Sequence, residues 1–242
     1  MFTQSAAWYD MLHAQKNYAG EARGLTDLVR RVFPGAKTLL DVACGTGRHL
    51  EHFRDSFQCH GIDLDPNLLD IARRRLQGIP LENADMLDFR TDKRFDVIVC
   101  LYYAIGYART AAGLRSAIRC MADHLSPYGI IAIEPWILSE EWHDGTTYSD
   151  LITTGGMTVK RMYTSRRSGS LVDMEVSYAA QQETRTEHHK LGLFTRQEYA
   201  DAITGSGLNC CWLPQNSSGR RLALGLTRSL GPAESWQRIL CG

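Results

Sequence analysis

The order of apolar and polar residues changes rhythm along the chain, and the changes predict its organisation. In residues 18–33, YAGEARGLTDLVRRVF, the residues Ala22, Leu25, Leu28, Val29 and Phe33 fall at helical spacing, so a helix with one buried face is expected. KTLLDVACGTG reads as a buried strand entering a glycine turn, followed by a helix over about 47–55. QCHGIDLD is a second strand. Asp65-Pro66 opens another helix, with Asp65 as its cap and Pro66 at the first helical position. IPLENAD predicts a short third strand, and the unbroken apolar run RFDVIVCLYY a fourth, covered on both faces. A helix over about 110–125 leads through Pro127-Tyr128-Gly129 into a fifth strand, IIAIEP. Strands alternating with helices imply right-handed crossovers and a mostly parallel sheet.

Between Thr146 and Leu193 the period drops to two. GMTVKRMYTS, SLVDMEVSYAA and TEHHKLGLF alternate and are joined by polar turns such as Arg167-Ser168-Gly169, so they predict inserted antiparallel strands. Thr195-Arg196-Gln197-Glu198 is a capping box opening a helix to about Ser206. GLNCCWLP and RRLALGLTR supply two closing strands. The expected fold is α/β: a doubly wound, mostly parallel seven-stranded sheet in one domain over residues 1–242, with residues 146–193 an antiparallel β insert after the fifth strand. Such an insert can roof an acceptor site or form the contact of a homodimer.

Composition narrows the class. The chain's 242 residues suffice for one large α/β domain and are few for two. Lys+Arg and Asp+Glu number 27 each, so the net charge is zero and no nucleic-acid partner is expected. No apolar run approaches the ~18 residues of a membrane helix. MFTQSAAWYDML lacks the basic start and apolar stretch of a signal peptide. Seven cysteines, an odd number without a CxxC pair, suggest a reduced chain in the cytoplasm. His49 and His52 lie three apart, but nothing completes a ligand set, so no metal is expected.

The chemistry gathers at Asp41-Val42-Ala43-Cys44-Gly45-Thr46-Gly47, between a strand and a helix. Ligands of open α/β sheets bind outside the carboxyl ends of strands, where the winding reverses. A turn with Gly45 and Gly47 lets the backbone approach a ligand closely, and Ala43 in the same turn is a further cofactor-binding candidate. Asp63 ends the second strand, 22 residues after Asp41, where a carboxylate can hold both ribose hydroxyls. A dinucleotide would need G-x-G-x-x-G, yet counted from Gly45 the third position is Leu50; a P-loop would need Gly-Lys-Ser/Thr. S-adenosylmethionine (SAM) needs no pyrophosphate cradle. It needs a slot for a methionyl ammonium and carboxylate, a ribose clamp and an adenine pocket. Asp41 suits the ammonium, and Asp85-Met86, after the third strand, would give the adenine amino group an acceptor and an apolar cover.

LLDVACGTGRHLEHF resembles the SAM-binding motif of class I methyltransferases, with the Rossmann-like fold that this implies. The strand order and insert are similar to one subgroup, the N,N-dimethyltransferases of dTDP-amino sugars in macrolide antibiotic biosynthesis. The resemblance covers almost the whole chain. It runs through Trp8-Tyr9-Asp10, Lys16-Asn17-Tyr18, Arg73-Arg74-Arg75, Asp85-Met86 with Asp88-Phe89, Ile105-Gly106-Tyr107, Glu134-Pro135-Trp136, Leu193-Phe194-Thr195 and Ser218-Gly219-Arg220. Two places depart from the subgroup: Ile137 stands where a second aromatic is usual, and Arg221-Leu222-Ala223 where Gly-Leu-Phe is usual. The resemblance implies methyl transfer to the amine of a small molecule, an amino-sugar nucleotide, with S-adenosyl-L-homocysteine as product. Methylation of another small metabolite, or a SAM-binding scaffold without catalysis, are the alternatives.

Methyl transfer is an in-line displacement that depends above all on an aligned nucleophile. An amine must be neutral to attack, so a group that accepts its proton helps. Tyr107, after the fourth strand, stands where the resemblance places a polar aromatic near the reacting amine. Glu134 ends the fifth strand and could accept a hydrogen bond from an amine or hydroxyl. His189 matches a histidine of the subgroup, while His188 points to the opposite face by strand alternation. Tyr9 and Tyr18 resemble aromatics that close over the cofactor, and Trp136 lies in the stretch near the acceptor. Arg220 is implied to grip a diphosphate with its bidentate fork, with Arg166 a second candidate.

Overall fold

The two rhythms of the sequence become two sheets in the computed structural model, which describes residues 6–145, 147–154, 156–180, 183–213 and 221–230. Helices α1 (Ala6–Leu12) and α2 (Tyr18–Val32) lead into β1 (Thr38–Val42), α3 (Leu50–Phe53), β2 (Gln58–Asp63), α4 (Pro66–Arg75), β3 (Leu81–Asn83), β4 (Phe95–Cys100), α5 (Ala111–Asp123) and β5 (Leu125–Ile133). Then come β6 (Thr147–Thr154), β7 (Met157–Ser168), β8 (Leu171–Ala180) and β9 (Glu183–Gly192), followed by α6 (Arg196–Gly205), β10 (Asn209–Leu213) and β11 (Leu222–Leu226). The large sheet has the order β10-β11-β5-β4-β1-β2-β3, and β6 to β9 form a separate antiparallel sheet in sequence order. Strands β1 to β5 pair in parallel, and β11 runs antiparallel to both β5 and β10. The chain winds outward from β1 through β2 and β3, then returns to lay β4 on the other side of β1. That reversal opens a crevice at the carboxyl ends of β1 and β4.

Alternation within the central strands explains the two layers. Leu39, Val97 and Val99 face the buried side of α2, at Ala22, Leu25 and Val29. Leu40, Ile98 and Ile131 face α5, at Leu114, Ala117 and Ile118. Both helices bury an apolar stripe, the ordinary reason such helices are stable on a sheet. The start signals act as predicted: Asp65 accepts from the Asn67 N–H at 3.0 Å, and Thr195 and Glu198 cap α6 reciprocally. None of the helices among the described residues is long and apolar enough to cross a membrane.

Two elements differ from expectation. The helix expected over 47–55 shrinks to α3, because Gly47 sits at φ +76°, outside any right-handed helix. The insert also holds a strand that alternation did not predict, β6, paired with β7 from Thr147↔Thr164 to Thr154↔Met157. Its Ser149, Asp150 and Thr153 dilute the apolar pattern, and Arg161 across the ladder takes up the Asp150 charge at 2.6 Å. The inner face of the insert, at Ile152, Val159, Val176 and Tyr178, packs with Leu12 of α1.

Two local constraints fix the crevice floor. A Cβ on Gly47 would collide with the Leu76 side chain of the loop after α4. After β4, Tyr102 and Tyr103 adopt φ +53° and +66°, two consecutive left-handed residues that are costly without support. Support comes from Glu134, fully buried at the end of β5, whose Oε2 accepts from the Tyr102 N–H at 2.7 Å. Burial raises the Glu134 carboxyl from 4.5 to about 7, partly offset by that hydrogen bond and by Lys16. Two predictions follow from these constraints. Gly47→Ala should lose about 2–4 kcal/mol in urea unfolding, from left-handed strain plus overpacking. Gly78→Ala, at φ +84° with open space around it, should lose only the strain part. For Glu134, between pH 4.5 and about 7 the folded state holds a proton that the unfolded state has released, so stability falls as pH rises through that window. Thermal melts should show the Tm of Glu134→Gln, which keeps an acceptor for Tyr102, gaining on that of the parent as pH rises through the window, since Asp41, Asp63, His13 and His49 titrate alike in both.

Candidate active site

A cavity of about 730 Å³ lies at the crevice, between the carboxyl ends of the parallel strands and the inner face of the insert. Its size is that of an ordinary small-molecule site. Ala43 and Gly45, at φ +61° and +56°, line it from the turn after β1. A Cβ on Gly45 would meet nothing within 4 Å, so this glycine keeps space open, whereas Gly47 makes room for Leu76 and does not line the cavity. Asp63 lines it from the end of β2. Its Oδ2 accepts from the Gly45 N–H at 2.7 Å and its Oδ1 from the Asp65 N–H at 2.8 Å, leaving each oxygen a further lone pair. Asp85 and Met86 line the next stretch, with Asp85 Oδ1 accepting from the Leu87 N–H at 2.9 Å.

Asp41 stands behind this wall, 2% exposed, and its Oδ2 has no hydrogen-bond partner among the described residues. Burial, then the charge of Asp63, push the Asp41 carboxyl well above the usual range. A cationic group brought to this turn would relieve both. An orphaned acid, an open glycine and a braced carboxylate fit the ammonium and ribose of SAM. Helix α1 closes over this end. Tyr9 lines the cavity, while Asp10 accepts from Thr46 Oγ1 at 2.7 Å and pairs with Arg75, which also donates to the Thr46 carbonyl. Tyr18 does not reach the cavity. It is buried edge-on against His49 at 4.9 Å, with Lys16 and Arg48 over its ring.

The opposite wall joins β4 to β9. Residues Ala104–Ala108 form a 3-10 turn whose Gly106 packs on Leu191. Gly192 lets the Arg109 backbone approach; a Cβ there would stand 2.9 Å from the Arg109 carbonyl carbon. This contact brings Tyr107 Oη to 2.8 Å from His189 Nδ1. Both residues line the cavity, and burial, then the charge of Glu187, push the Tyr107 phenol up. Glu187 Oε2 lies 3.6 Å from His189 Nε2, with both side chains almost wholly buried. His188 is exposed, as alternation requires. Trp136 lines the cavity with its ring against Trp142, 5.5 Å between centroids.

Several expected positions are placed elsewhere. Glu134 braces the Tyr102 turn from behind and does not line the cavity. Arg166 is exposed on β7, one residue from cavity-lining Ser165 and so on the opposite face. Arg220 lies outside the described residues. The sequence reading missed His13, Tyr102, Tyr163, Tyr178 and Glu187. Burial, then Arg161 and Lys16, lower His13 to about 4, so this cavity residue is neutral near pH 7. Glu187 could have been found, since it shares the parity of His189 on one strand.

Comparison with known proteins agrees with this geometry. A family model described as a methyltransferase domain matches residues 39–129. The dTDP-3-amino-3,6-dideoxy-alpha-D-glucopyranose N,N-dimethyltransferase of Streptomyces fradiae is 39% identical over 93% of this chain and 92% of its own. The crystal structure of DesVI from Streptomyces venezuelae superposes with a TM-score of 0.87 at 38% identity, covering 93% of this chain and 99% of that one. SAM-bound CalS10, an amino pentose methyltransferase from Micromonospora echinaspora, gives a TM-score of 0.82 at 34% identity over 93% of this chain and 97% of its own. With a doubly wound sheet and relatives matched over nearly their full length, the chain belongs to the SAM-dependent methyltransferase family of these sugar N-methylating enzymes.

Proposed function

We propose that this methyltransferase acts on the amine of an amino-sugar nucleotide and adds up to two methyl groups. The observation that carries this reading is the Tyr107–His189 hydrogen bond in the lining of the same cavity that Gly45 and Asp63 line. SAM supplies an activated methyl group; the chain must supply a neutral, oriented amine. A phenol backed by an imidazole can accept a proton from the nitrogen. Tyr102, Tyr103 and Tyr163 offer apolar faces that exclude water. The relatives' printed substrates, dTDP-linked amino sugars, supply the acceptor class. The free cysteines among the described residues support a reduced, cytoplasmic setting.

Catalytic work falls to Tyr107 and His189, cofactor contact to Tyr9, Ala43, Gly45, Asp63, Asp85 and Met86, and acceptor contact to Trp136. Asp41 and Gly47 shape the cofactor turn. Arg220 is proposed to hold the diphosphate. The deciding test is incubation with SAM and a panel of amino-sugar nucleotides, read by mass spectrometry as a gain of one or two methyl groups. Methylation confined to acceptors without a nucleotide would overturn the substrate class. Tyr107→Phe should lower kcat about ten- to a hundredfold while calorimetry finds S-adenosylhomocysteine binding unchanged. Arg220→Ala should raise KM for the nucleotide sugar roughly tens- to a hundredfold, the equivalent of about 2–3 kcal/mol, with KM for SAM unchanged.

A further inference from the structure

Glu187 is a carboxylate that the sheet buries to 4% exposure, and no step so far uses it. It sits two residues before His189 on β9, on the same face, in a cross-strand row with Val176 and Tyr163; His189 lies in the next row with Met174 and Ser165. Its Oε2 is 3.6 Å from His189 Nε2, longer than a hydrogen bond but close enough for its charge to favour a proton on that nitrogen, on the far side of the imidazole from Tyr107. An imidazole can carry its single proton on either nitrogen, and the neighbour of one nitrogen decides the role of the other.

We propose that Glu187 is a positioning residue that fixes His189 as the Nε2–H tautomer, so that Nδ1 accepts from the Tyr107 hydroxyl and the Tyr107 oxygen turns its lone pairs to the acceptor amine. This rests on the amine-methylation reading above. The proton balance is direct. An acceptor arriving as ammonium breaks one N–H bond, and the electron pair stays on nitrogen. The proton forms a new bond to Tyr107 Oη while the hydroxyl's own proton passes to His189 Nδ1. The imidazole becomes a cation, facing the Glu187 carboxylate. With the opposite tautomer, Nδ1–H would donate to the Tyr107 oxygen and could take up no proton from it, so the relay would lack its terminal acceptor. The same relay would serve a second transfer once the imidazolium has returned its proton to solvent during the exchange of spent cofactor, when the monomethylated nitrogen must again shed a proton. The other titratable groups around the pair are Tyr9 of α1, Asp63 of β2, Arg109 beyond the 3-10 turn, Tyr163 of β7 and Tyr178 of β8.

The test combines kinetics with a readout on the parent itself. Nitrogen-15 NMR of histidine-labelled parent protein should show His189 protonated at Nε2; protonation at Nδ1 overturns the proposal, whatever the variants do. Glu187→Gln should lower kcat at neutral pH tenfold or more, with KM for the acceptor and S-adenosylhomocysteine affinity unchanged, and should displace the acid limb of the kcat–pH profile. The double variant with Tyr107→Phe should be no slower than Tyr107→Phe alone, because the carboxylate acts through the phenol. A Glu187→Gln protein with parental kcat and pH profile, or losses that multiply in the double variant, overturns it. If the parent methylates no amine, the functional reading fails instead, and the NMR result still decides the tautomer.

Discussion

Two buried carboxylates hold the cavity floor in a shape that its own backbone resists. Ala43, Tyr102 and Tyr103 all lie in the left-handed region, where an L-residue costs about 1–2 kcal/mol. Asp63 gathers the amides of Gly45 and Asp65, and Glu134 takes the amide of Tyr102. The Asp63–Gly45 bond ties the end of β2 to the turn after β1, and the Glu134–Tyr102 bond ties the end of β5 to the loop after β4. Burying the carboxyls is itself unfavourable, as the upward shifts of Asp63 and Glu134 record. Strain of this kind persists only where surrounding structure over-determines it, and here it surrounds the cavity.

The insert solves the complementary problem. A half-buried antiparallel strand turns alternate residues inward, so it can present polar groups to a cavity without disturbing its own ladder. Strand β9 does so with His189, which lines the cavity beside Leu191 while Glu187 is buried on the same face, and His188 and Lys190 stay in water. The position of that row depends on glycine. Gly192 admits the Arg109 backbone, and that approach sets the separation of Tyr107 from His189. A roof built on two sheets is stiffer than one built on a long loop, which suits a reaction governed by alignment.

Much of this was legible in the sequence. The succession of strands and helices along the chain, the caps at Asp65 and Thr195, and three of the four insert strands follow from periodicity and local hydrogen-bonding chemistry, which act over a few residues. Asp63, Ala43, Gly45 and Tyr107 line the cavity because a strand end in a doubly wound sheet has a fixed place. What escaped depends on space rather than spacing. Nothing in Asp41–Gly47 says which glycine faces a ligand and which faces Leu76. Glu134 reads as a reactive acid, yet the left-handed turn after β4 draws it onto an amide. Tyr18 reads as a cofactor lid, yet His49 covers it. Arg166 failed for a reason that was readable: its parity on β7 opposes that of Tyr163 and Ser165.

The charges around the cavity constrain how a nucleotide sugar could enter. Its lining carries Asp63, Asp65, Asp85 and Glu141 against Arg109. Burial keeps Tyr102 and Tyr107 neutral, and His13, at about 4, adds no cation near pH 7. An acidic interior suits a cationic methyl donor and an amine. It repels a diphosphate: at an effective dielectric near 20, two like charges 4 Å apart cost about 4 kcal/mol. Such a lining favours an amine in the interior and an anionic group at the rim. There Glu141 is already paired with Arg221 at 2.8 Å, so one rim carboxylate has its charge offset. An anion arriving beside that pair competes with Glu141 for the guanidinium, and the geometry of a planar fork allows both to share it.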